Sequence, residues 1–278
     1  MCVHWEPMAT ARQIALLAFA LLAAPPAALL AQDSYEIQVY PSETMPRGIT
    51  MFELHSNYTV DGQKSAANGV LASDNALHET LEITHGFNEI FEVGLYFFTS
   101  TNPGEGFGYV GSHIRPRFRV PPSWNWPVGV SLSQEIGFQK RAYSEETWSW
   151  EIRPIVDKQM GRFYWSVNPT LGVALAHDST TQGGVDFAPN IAATLDVSRA
   201  VNLGVEYYGD FGPIGNFDPP NQRAQQIFAV ANLDVSPLWE INFGPGFGLT
   251  PATDKLLFKL ILGYRVGSGR RPSRAVAP

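Results

Sequence analysis

The stretch RFYWSVNPTLGVALA, residues 162–176, decides the fold class. Its apolar side chains recur at every second position, from Phe163 and Trp165 to Leu175, while small or polar residues such as Asn168 fall between them. An alternation of period two places the two sets on opposite faces of a β-strand. The run is longer than the roughly five or six residues usual in soluble sheets, and a tilted strand needs about 9–11 residues to cross a membrane. The stretch therefore predicts a membrane-spanning strand.

The same alternation recurs through most of the chain and predicts twelve strands. They span residues 49–60, 76–85, 89–99, 106–119, 127–139, 145–156, 162–176, 185–197, 200–209, 223–235, 238–248 and 255–266. An even number of long antiparallel strands is typical of bacterial outer-membrane barrels. The sequence therefore predicts an all-β fold, an antiparallel transmembrane β-barrel over residues 49–266 in the outer membrane of a Gram-negative cell.

The connections between the strands fix the expected orientation. If the chain begins in the periplasm, the odd-numbered connections face outward, and these include the long stretches 61–75 and 210–222. The even-numbered connections are short, for example residues 86–88 and 198–199. Longer outer loops and short periplasmic turns are the usual asymmetry of transmembrane barrels.

Aromatic residues collect at both ends of the face that we expect to contact outer-membrane lipid. Aromatic girdles of this kind mark the two interfaces of a membrane barrel. A soluble sandwich or barrel with scattered aromatic residues is the competing interpretation, but the opposite strand face is charged and leaves no second surface for water. The predicted girdle residues are Trp124, Trp126, Trp148, Trp165, Trp239 and Tyr264.

The ends of the chain are expected to lie outside the barrel. Residues 1–31 have a basic residue, an apolar run over residues 14–24 and a small-residue stretch ending at Ala31, which predicts a signal peptide that is removed on export. Residues 32–48 are expected to form a periplasmic N-terminal segment, in which SYEIQVY (34–40) is either an extension or a short extra strand. Residues 267–278 are expected to be a periplasmic tail.

Composition excludes several functional classes. The 278-residue chain has a net charge of −7, whereas a nucleic-acid partner would require a basic surface. Its one cysteine, Cys2, lies in the predicted signal peptide. The mature chain would therefore contain no thiol for a disulfide, a thiolate metal site or cysteine catalysis.

Charged side chains on the inward face are the candidate functional residues. Two interpretations stay open: a constriction that sorts solutes by charge, or a salt-bridge network that keeps a narrow barrel rigid. Basic residues at alternate positions of the fourth strand face carboxylates of the neighbouring strands. The predicted constriction consists of Arg115, Arg117, Arg119, Glu92, Glu135, Glu151 and Arg153, and the secondary lumen residues are His55, His78, His113, Glu53, Glu82, Asp186, Glu206 and Lys259.

Metal-dependent or hydrolytic chemistry lacks a sequence motif. The lumen histidines have no HExxH-like spacing, and the nucleophile motif G-x-S-x-G is absent. Ser56 follows His55 and Ser112 precedes His113, so each serine faces the opposite side of its strand from that histidine. The sequence therefore predicts no metal, no cofactor and no catalytic residue.

Two stretches, THGFNEIFEVGLYF (84–97) and HSNYT (55–59), carry a family resemblance. The chain resembles a family of outer-membrane barrels, often described as transporters, that is associated with phenol-degradation (meta-pathway) gene clusters. The resemblance implies a barrel that takes up small, often aromatic, compounds, and it implies no catalytic residues. Many such barrels end on an aromatic residue that the barrel assembly machinery reads, whereas here residues 267–278 follow Tyr264.

Three functional hypotheses follow from the sequence. The first is passive or facilitated passage of small solutes through a narrow charged lumen. The second is a closed barrel that acts structurally or binds a partner through its outer loops. The third is a hydrolase embedded in the barrel.

Overall fold

The computed structural model describes residues 34–177 and 183–267, so the predicted signal peptide and residues 268–278 of the predicted tail lie outside the described residues. Within the described part of the chain, no helix is long and apolar enough to cross a membrane. The strands are β1 (Ile49–Asp61), β2 (Leu77–Gly86), β3 (Phe91–Asn102), β4 (Gly106–Arg119), β5 (Gly129–Gln139), β6 (Glu146–Met160), β7 (Phe163–His177), β8 (Asp186–Asp196), β9 (Val201–Asp210), β10 (Ala224–Leu233), β11 (Trp239–Gly248) and β12 (Leu256–Gly267).

These twelve strands form a closed antiparallel barrel. Each strand pairs with its neighbours in the sequence, and β1 pairs with β12 from Ile49 opposite Gly267 to Asp61 opposite Leu256. Closure removes the unpaired strand edges that would be costly in lipid, where water cannot satisfy backbone groups. The all-β class and the twelve-stranded antiparallel barrel predicted from the sequence are therefore confirmed.

The outward face of the barrel is apolar. Side chains at alternate strand positions, such as Leu54, Ile114 and Phe243, are each about two-fifths exposed although they are large and apolar. Aromatic side chains cluster at the ends of the strands: the rings of Trp239 and Tyr264 lie 4.8 Å apart. An apolar band flanked by aromatic residues matches the thickness and polarity of a bilayer.

The two ends of the barrel differ in their connections. One end, called the long-loop end here, carries residues 62–76 and 211–223, whereas the opposite short-turn end carries residues 161–162 and 197–200. One connection at the short-turn end is longer than the others: residues 120–128 include the 3₁₀ turn Pro122–Trp124, and the ring of Trp124 lies 6.0 Å from that of Trp126. By the asymmetry of membrane barrels, the long-loop end is the outer end.

Residues 34–46, called the lumen segment here, correct an expectation from the sequence. They form neither an extra strand nor an extension beyond the barrel: they run extended through its interior toward the short-turn end and lead into β1. Two glycines make room for the segment. A Cβ atom at Gly86 would overlap the backbone of Met45, and one at Gly129 would overlap the side chain of Ser42.

Candidate functional site: the barrel lumen

Backbone groups of the lumen segment are hydrogen-bonded to inward side chains around the barrel wall. The carbonyl of Ser34 accepts from Asn57 Nδ2 at 2.8 Å, and that of Tyr35 accepts from Thr80 Oγ1 at 2.7 Å. Farther along, the backbone N–H of Tyr40 donates to Asn168 Oδ1 at 2.7 Å. Because an extended chain lacks its own backbone partners, these side chains replace the water that the segment would otherwise need.

The second half of the segment is held by a carboxylate and a guanidinium. Ser42 donates to Asp157 from its N–H at 2.8 Å and from its hydroxyl at 2.6 Å. Arg117 donates to the carbonyls of Pro41 at 3.0 Å and Glu43 at 2.8 Å. The second half of the segment is therefore fixed to β4 and β6 by buried polar contacts.

Apolar side chains of the segment pack in two small cores. Ile37 packs with Tyr208, Phe228, Val230 and Leu257 on the wall formed by β9, β10 and β12. Tyr35 packs against Tyr96, Phe98 and Val110 on the wall formed by β3 and β4. Burial of apolar surface on both walls adds to the hydrogen bonds in holding the segment inside the lumen.

Tyr40, in the lumen segment, lies at the centre of a group of arginine side chains in the lumen. Three guanidinium groups lie over its ring, those of Arg115 at 4.7 Å, Arg117 at 5.5 Å and Arg153 at 4.9 Å from the ring centre. Its hydroxyl lies 3.0 Å from that of Tyr96 and donates to Glu36 of the same segment. The side chain of Tyr40 thus makes both buried cation–π contacts and hydrogen bonds, and both hold the lumen segment in place.

The predicted arginines form a closed ion-pair network with carboxylates. Arg115 contacts Glu82 at 2.5 Å and Glu92 at 3.2 Å, and Arg117 contacts Glu92 at 2.7 Å. Arg115, Glu82 and Glu92 are each no more than 1% exposed. Charges buried this deeply are tolerated because each guanidinium has a carboxylate partner and further acceptors, hydroxyl groups for Arg115 and backbone carbonyls for Arg117.

The network changes the interpretation of the predicted constriction. Arg115 and Arg117 are covered by the lumen segment and paired with carboxylates, so they bind the segment and do not line an open passage. Arg119 is half-buried near the short-turn end, and its backbone N–H donates to the carbonyl of Ile90 at 2.9 Å. The structure therefore favours the salt-bridge interpretation for this part of the predicted set.

A second ion pair joins the segment to the opposite wall. Lys259, which is 2% exposed, contacts Glu206 and donates to the carbonyl of Ile37 at 3.2 Å. The hydroxyl of Tyr208 donates to the same oxygen of Glu206, Oε2, at 2.6 Å. Lys259 and Glu206, two of the predicted secondary lumen residues, thus form one buried cluster with the segment.

A cavity of about 300 Å³ occupies the outer half of the lumen, between the lumen segment and the long loops. Two aromatic side chains, Tyr35 and Tyr143, contribute to its lining; Trp150 also borders it, but this residue is 38% exposed on the outward face of β6. The charged groups of the lining are mostly acidic. Among the described residues of the lining, seven carboxylates accompany one arginine, Arg153: they belong to Glu36, Glu135, Glu145, Glu146, Glu151, Asp186 and Asp210.

The predicted residues that remain are divided between this cavity and the wall beneath it. Glu151 lies 2.6 Å from Arg153, which also contacts Glu36 at 3.2 Å, and Glu135 lies 2.6 Å from His113. These groups line the cavity together with Asp186 and His78. Away from the cavity, Glu53, His55 and Glu82 converge on the lumen face of β1 and β2.

Neither serine–histidine neighbour pair forms a nucleophilic arrangement. His55 is fully buried on the lumen side, whereas Ser56 is partly exposed on the other face of β1. Ser112 instead hydrogen-bonds to the hydroxyl of Tyr109 at 2.6 Å, and His113 is oriented by Glu135. For these two pairs the structure provides no base for the serine hydroxyl.

The lumen segment is the functional element that sequence reasoning missed. Tyr40, Glu36 and Ser42 lie within it, and Asp157, the partner of Ser42, lies one residue beyond the predicted end of the sixth strand. A signal was present, since Tyr35, Ile37 and Val39 alternate with polar residues. That pattern indicates an extended chain with one apolar side, but it does not say which surface the chain contacts.

Comparisons with known proteins bear on the fold. A crystal structure of an outer-membrane channel from Pseudomonas putida F1 is similar with a TM-score of 0.59 and 13% identity, covering 83% of this chain and all of that one. The porins KdgM (10% identity, TM-score 0.47, 77% of this chain and 98% of that one) and NanC (8% identity, TM-score 0.48, 78% and 99%) also match. No protein-family model and no curated protein matches the sequence. At 13% identity, the likeness to the Pseudomonas putida channel supports the barrel fold alone.

Proposed function

We propose that this protein is a Gram-negative outer-membrane channel for small solutes, in which the lumen segment is a plug that limits passage. The observation that carries the proposal is the division of one closed barrel into a polar outer cavity and a half filled by residues 34–46. A purely structural barrel has no need of an outer cavity lined by ionisable groups, whereas a solute pathway has.

The charge of the cavity favours cations as solutes. The described part of its lining holds seven carboxylates and one arginine, and that arginine is already paired with two of the carboxylates. A cleft with low-dielectric walls and one sign of charge concentrates ions of the opposite sign. The anion-attracting arginines predicted from the sequence are neutralised deeper in the lumen, so they do not oppose this preference.

Passage of aromatic compounds, which the family resemblance implies, stays a prediction. The rings of Tyr35 and Tyr143 in the lining support it, because aromatic side chains provide flat apolar contacts for such solutes. An aromatic amine would satisfy both the rings and the carboxylates.

Single-channel recording in planar bilayers tests the proposal. The purified protein is expected to give small conductance steps, and in a salt gradient its reversal potential should report a preference for K⁺ over Cl⁻. Asp186→Asn combined with Asp210→Asn should weaken that preference, because both carboxylates line the cavity. Asp234→Asn, in the connection between β10 and β11 at the short-turn end, is the matched control and should leave it unchanged.

The result also separates the channel from a closed structural barrel. Silence from protein whose heat-modifiable gel mobility demonstrates a folded barrel would favour the structural alternative. A preference for Cl⁻ would contradict the assignment of the cavity as a cation-selecting vestibule while leaving the channel in place.

A further inference from the structure

Glu53, His55 and Glu82 form a compact cluster that the solute pathway does not use. Glu53 and Glu82 are register partners on β1 and β2, and His55 is two residues along β1 on the same face. One potential ligand atom from each side chain lies within 4.8 Å of the other two. All three side chains are buried, with His55 and Glu82 fully so.

The polar atoms of this cluster are incompletely satisfied. Among the described residues, no partner forms a hydrogen bond with either ring nitrogen of His55 or with Glu82 Oε2. His55 Nε2 faces Glu82 Oε2 at 3.4 Å, the distance of an ion pair when the histidine is protonated. Buried histidines and carboxylates normally have hydrogen-bond partners, and an ion bound to both atoms would supply one.

The charges around the cluster also favour binding of a cation. The guanidiniums of Arg115 and Arg117 pair with the carboxylates of Glu82 and Glu92. The third carboxylate, Glu53, lies near Arg115 and near the mutually paired Arg265 and Glu240. Together these side chains carry one surplus negative charge in a region closed off by the lumen segment. A buried charge without compensation is strongly unfavourable, and either a proton or a bound cation would remove it.

We propose that Glu53, His55 and Glu82 bind one divalent transition-metal ion, for which Zn²⁺ is the best fit. Imidazole and carboxylate ligands bind Zn²⁺ at about 2.0–2.2 Å, and a tetrahedron of that size separates neighbouring ligand atoms by about 3.4 Å. The His55–Glu82 separation already has this value. The site takes three protein ligands and leaves the fourth position to water or a further donor.

Outer contacts already orient the ligands. The other carboxylate oxygen of Glu82 accepts from Arg115 Nη2 at 2.5 Å and from Thr84 Oγ1 at 2.6 Å. These contacts leave Oε2 as the atom directed at His55. Partners behind a ligand fix its orientation and are a regular part of metal sites. The ion would join β1 to β2 behind the lumen segment, and this site is independent of whether the barrel conducts.

Metal content of the folded barrel tests the inference. Because the cluster is buried, the full-length protein should be folded in the presence of Zn²⁺, exchanged into metal-free buffer and analysed by elemental mass spectrometry. One Zn²⁺ per barrel is expected. His55→Ala and Glu53→Gln should each abolish it, and Zn²⁺ should raise the temperature at which the gel-mobility shift is lost in the wild type but not in these two variants.

His78→Ala is the matched control. This histidine also faces the lumen from β2, but its Nδ1 contacts the hydroxyl of Ser100 and its ring packs edge-on against Tyr35. It should keep the full Zn²⁺ content. A folded wild-type barrel without bound metal would overturn the proposal in favour of a proton, and retention of Zn²⁺ by both His55→Ala and Glu53→Gln would place the metal elsewhere. Glu53→Gln is nearly isosteric, which keeps the test valid if His55→Ala does not fold.

Discussion

The inner and outer halves of the lumen contain similar ionisable side chains in opposite electrostatic states. Toward the short-turn end, the carboxylate of Glu92 is paired with Arg115 and Arg117 and covered by residues 34–46. Toward the long-loop end, seven carboxylates surround a cavity with Arg153 as the single arginine among the described residues of its lining. One half is therefore neutral and filled, and the other is acidic and hollow.

The difference shows what decides whether an inward-facing charged side chain can select solutes or only stabilises the barrel. Arg115 and Arg153 each bind carboxylates and lie over the ring of Tyr40, yet only Arg153 also borders the cavity. The lumen segment supplies carbonyl and aromatic partners to the charged side chains of the filled half. It leaves the charged side chains that line the cavity in contact with water, so its outer edge is the boundary between the two halves. Substitutions that move the boundary should therefore interconvert the two states.

Replacing residues 34–44 with a Gly/Ser chain of equal length should have the largest effect. The fixed contacts of Tyr40 and Ser42 with the wall would be lost, so the filled half should open to water and ions. We expect single-channel conductance to rise several-fold. An equivalent replacement of residues 213–220 in an outer loop is the control, and an unchanged conductance in the segment variant would contradict the assignment of the segment as the plug.

Lys259→Met should strongly destabilise the folded barrel. It leaves the 6%-exposed carboxylate of Glu206 without its ammonium partner, and breaking a buried pair from one side costs about 3–5 kcal/mol. Denaturant unfolding in lipid vesicles measures the loss. The double variant Lys259→Met/Glu206→Gln should recover most of it, because no uncompensated charge remains. If the double variant is as unstable as the single one, the packing of Lys259 and not its charge supports this half of the lumen.

Tyr40 allows the ring and the hydroxyl contributions to be separated. Tyr40→Leu removes the contacts with three guanidiniums and should reduce the free energy that holds the segment in the lumen by about 2 kcal/mol. Tyr40→Phe removes only the hydroxyl contacts and should reduce that free energy by about 1 kcal/mol. Because about 1.4 kcal/mol corresponds to a tenfold change in an equilibrium, opening events in single-channel records should increase about tenfold or more for Tyr40→Leu and less for Tyr40→Phe. Equal effects of the two variants would assign the stabilisation to the hydroxyl.

The smallest expected effect is a pH dependence of stability that comes from the carboxyl group of Asp254. This carboxylate, in the connection between β11 and β12, accepts hydrogen bonds from the Ser73 hydroxyl at 2.6 Å and the Gln63 N–H at 3.2 Å. Burial raises the pKa of Asp254 above its usual value, in spite of these hydrogen bonds. The folded state therefore holds the proton more tightly than the unfolded state does, and stability falls as the pH rises from the unfolded pKa through the folded one.

Acidification from neutral pH should accordingly tighten the outer loop 62–76. Hydrogen exchange at the Gln63 amide, corrected for its intrinsic pH dependence, should slow a few-fold in the wild type. Asp254→Asn imitates the protonated acid and should show no such change. Asp74, whose pKa is lowered by its hydrogen bond with Lys64, does not titrate in the same range. Faster corrected exchange at lower pH would contradict the predicted sign.

The strands could be predicted closely from the sequence because their signal is local. The stretch 162–176 forms β7 (Phe163–His177), and the predicted strand 106–119 agrees with β4 in its bounds. The largest difference is at β6, which continues to Met160 beyond the predicted end at residue 156. Its last residues are polar on both faces, since Lys158 is outward beside Trp165 and Asp157 is inward on Ser42, so the alternation that marks a lipid-facing strand ends before the strand does.

The site could be predicted only in part. The inward orientation of Arg115, Glu92 and Lys259 follows from the period of two. The outer cavity, however, required knowledge of which part of the lumen remains empty, and its lining includes residues of loops and of the lumen segment as well as of strands. No local pattern assigns Glu36 and Glu145 to one cavity, since they are far apart in the sequence.

The sequence by itself determined that the chain forms twelve long strands with an apolar outward face and a charged inward face, because side-chain direction in a strand depends only on the parity of each position. Only the tertiary structure decided where residues 34–46 lie, and therefore which inward charges are neutralised and which surround a cavity. The physical reason is that an extended segment has no internal partners for its backbone. Its place depends on the hydrogen-bonding side chains and apolar patches that all the strands together present across the closed barrel.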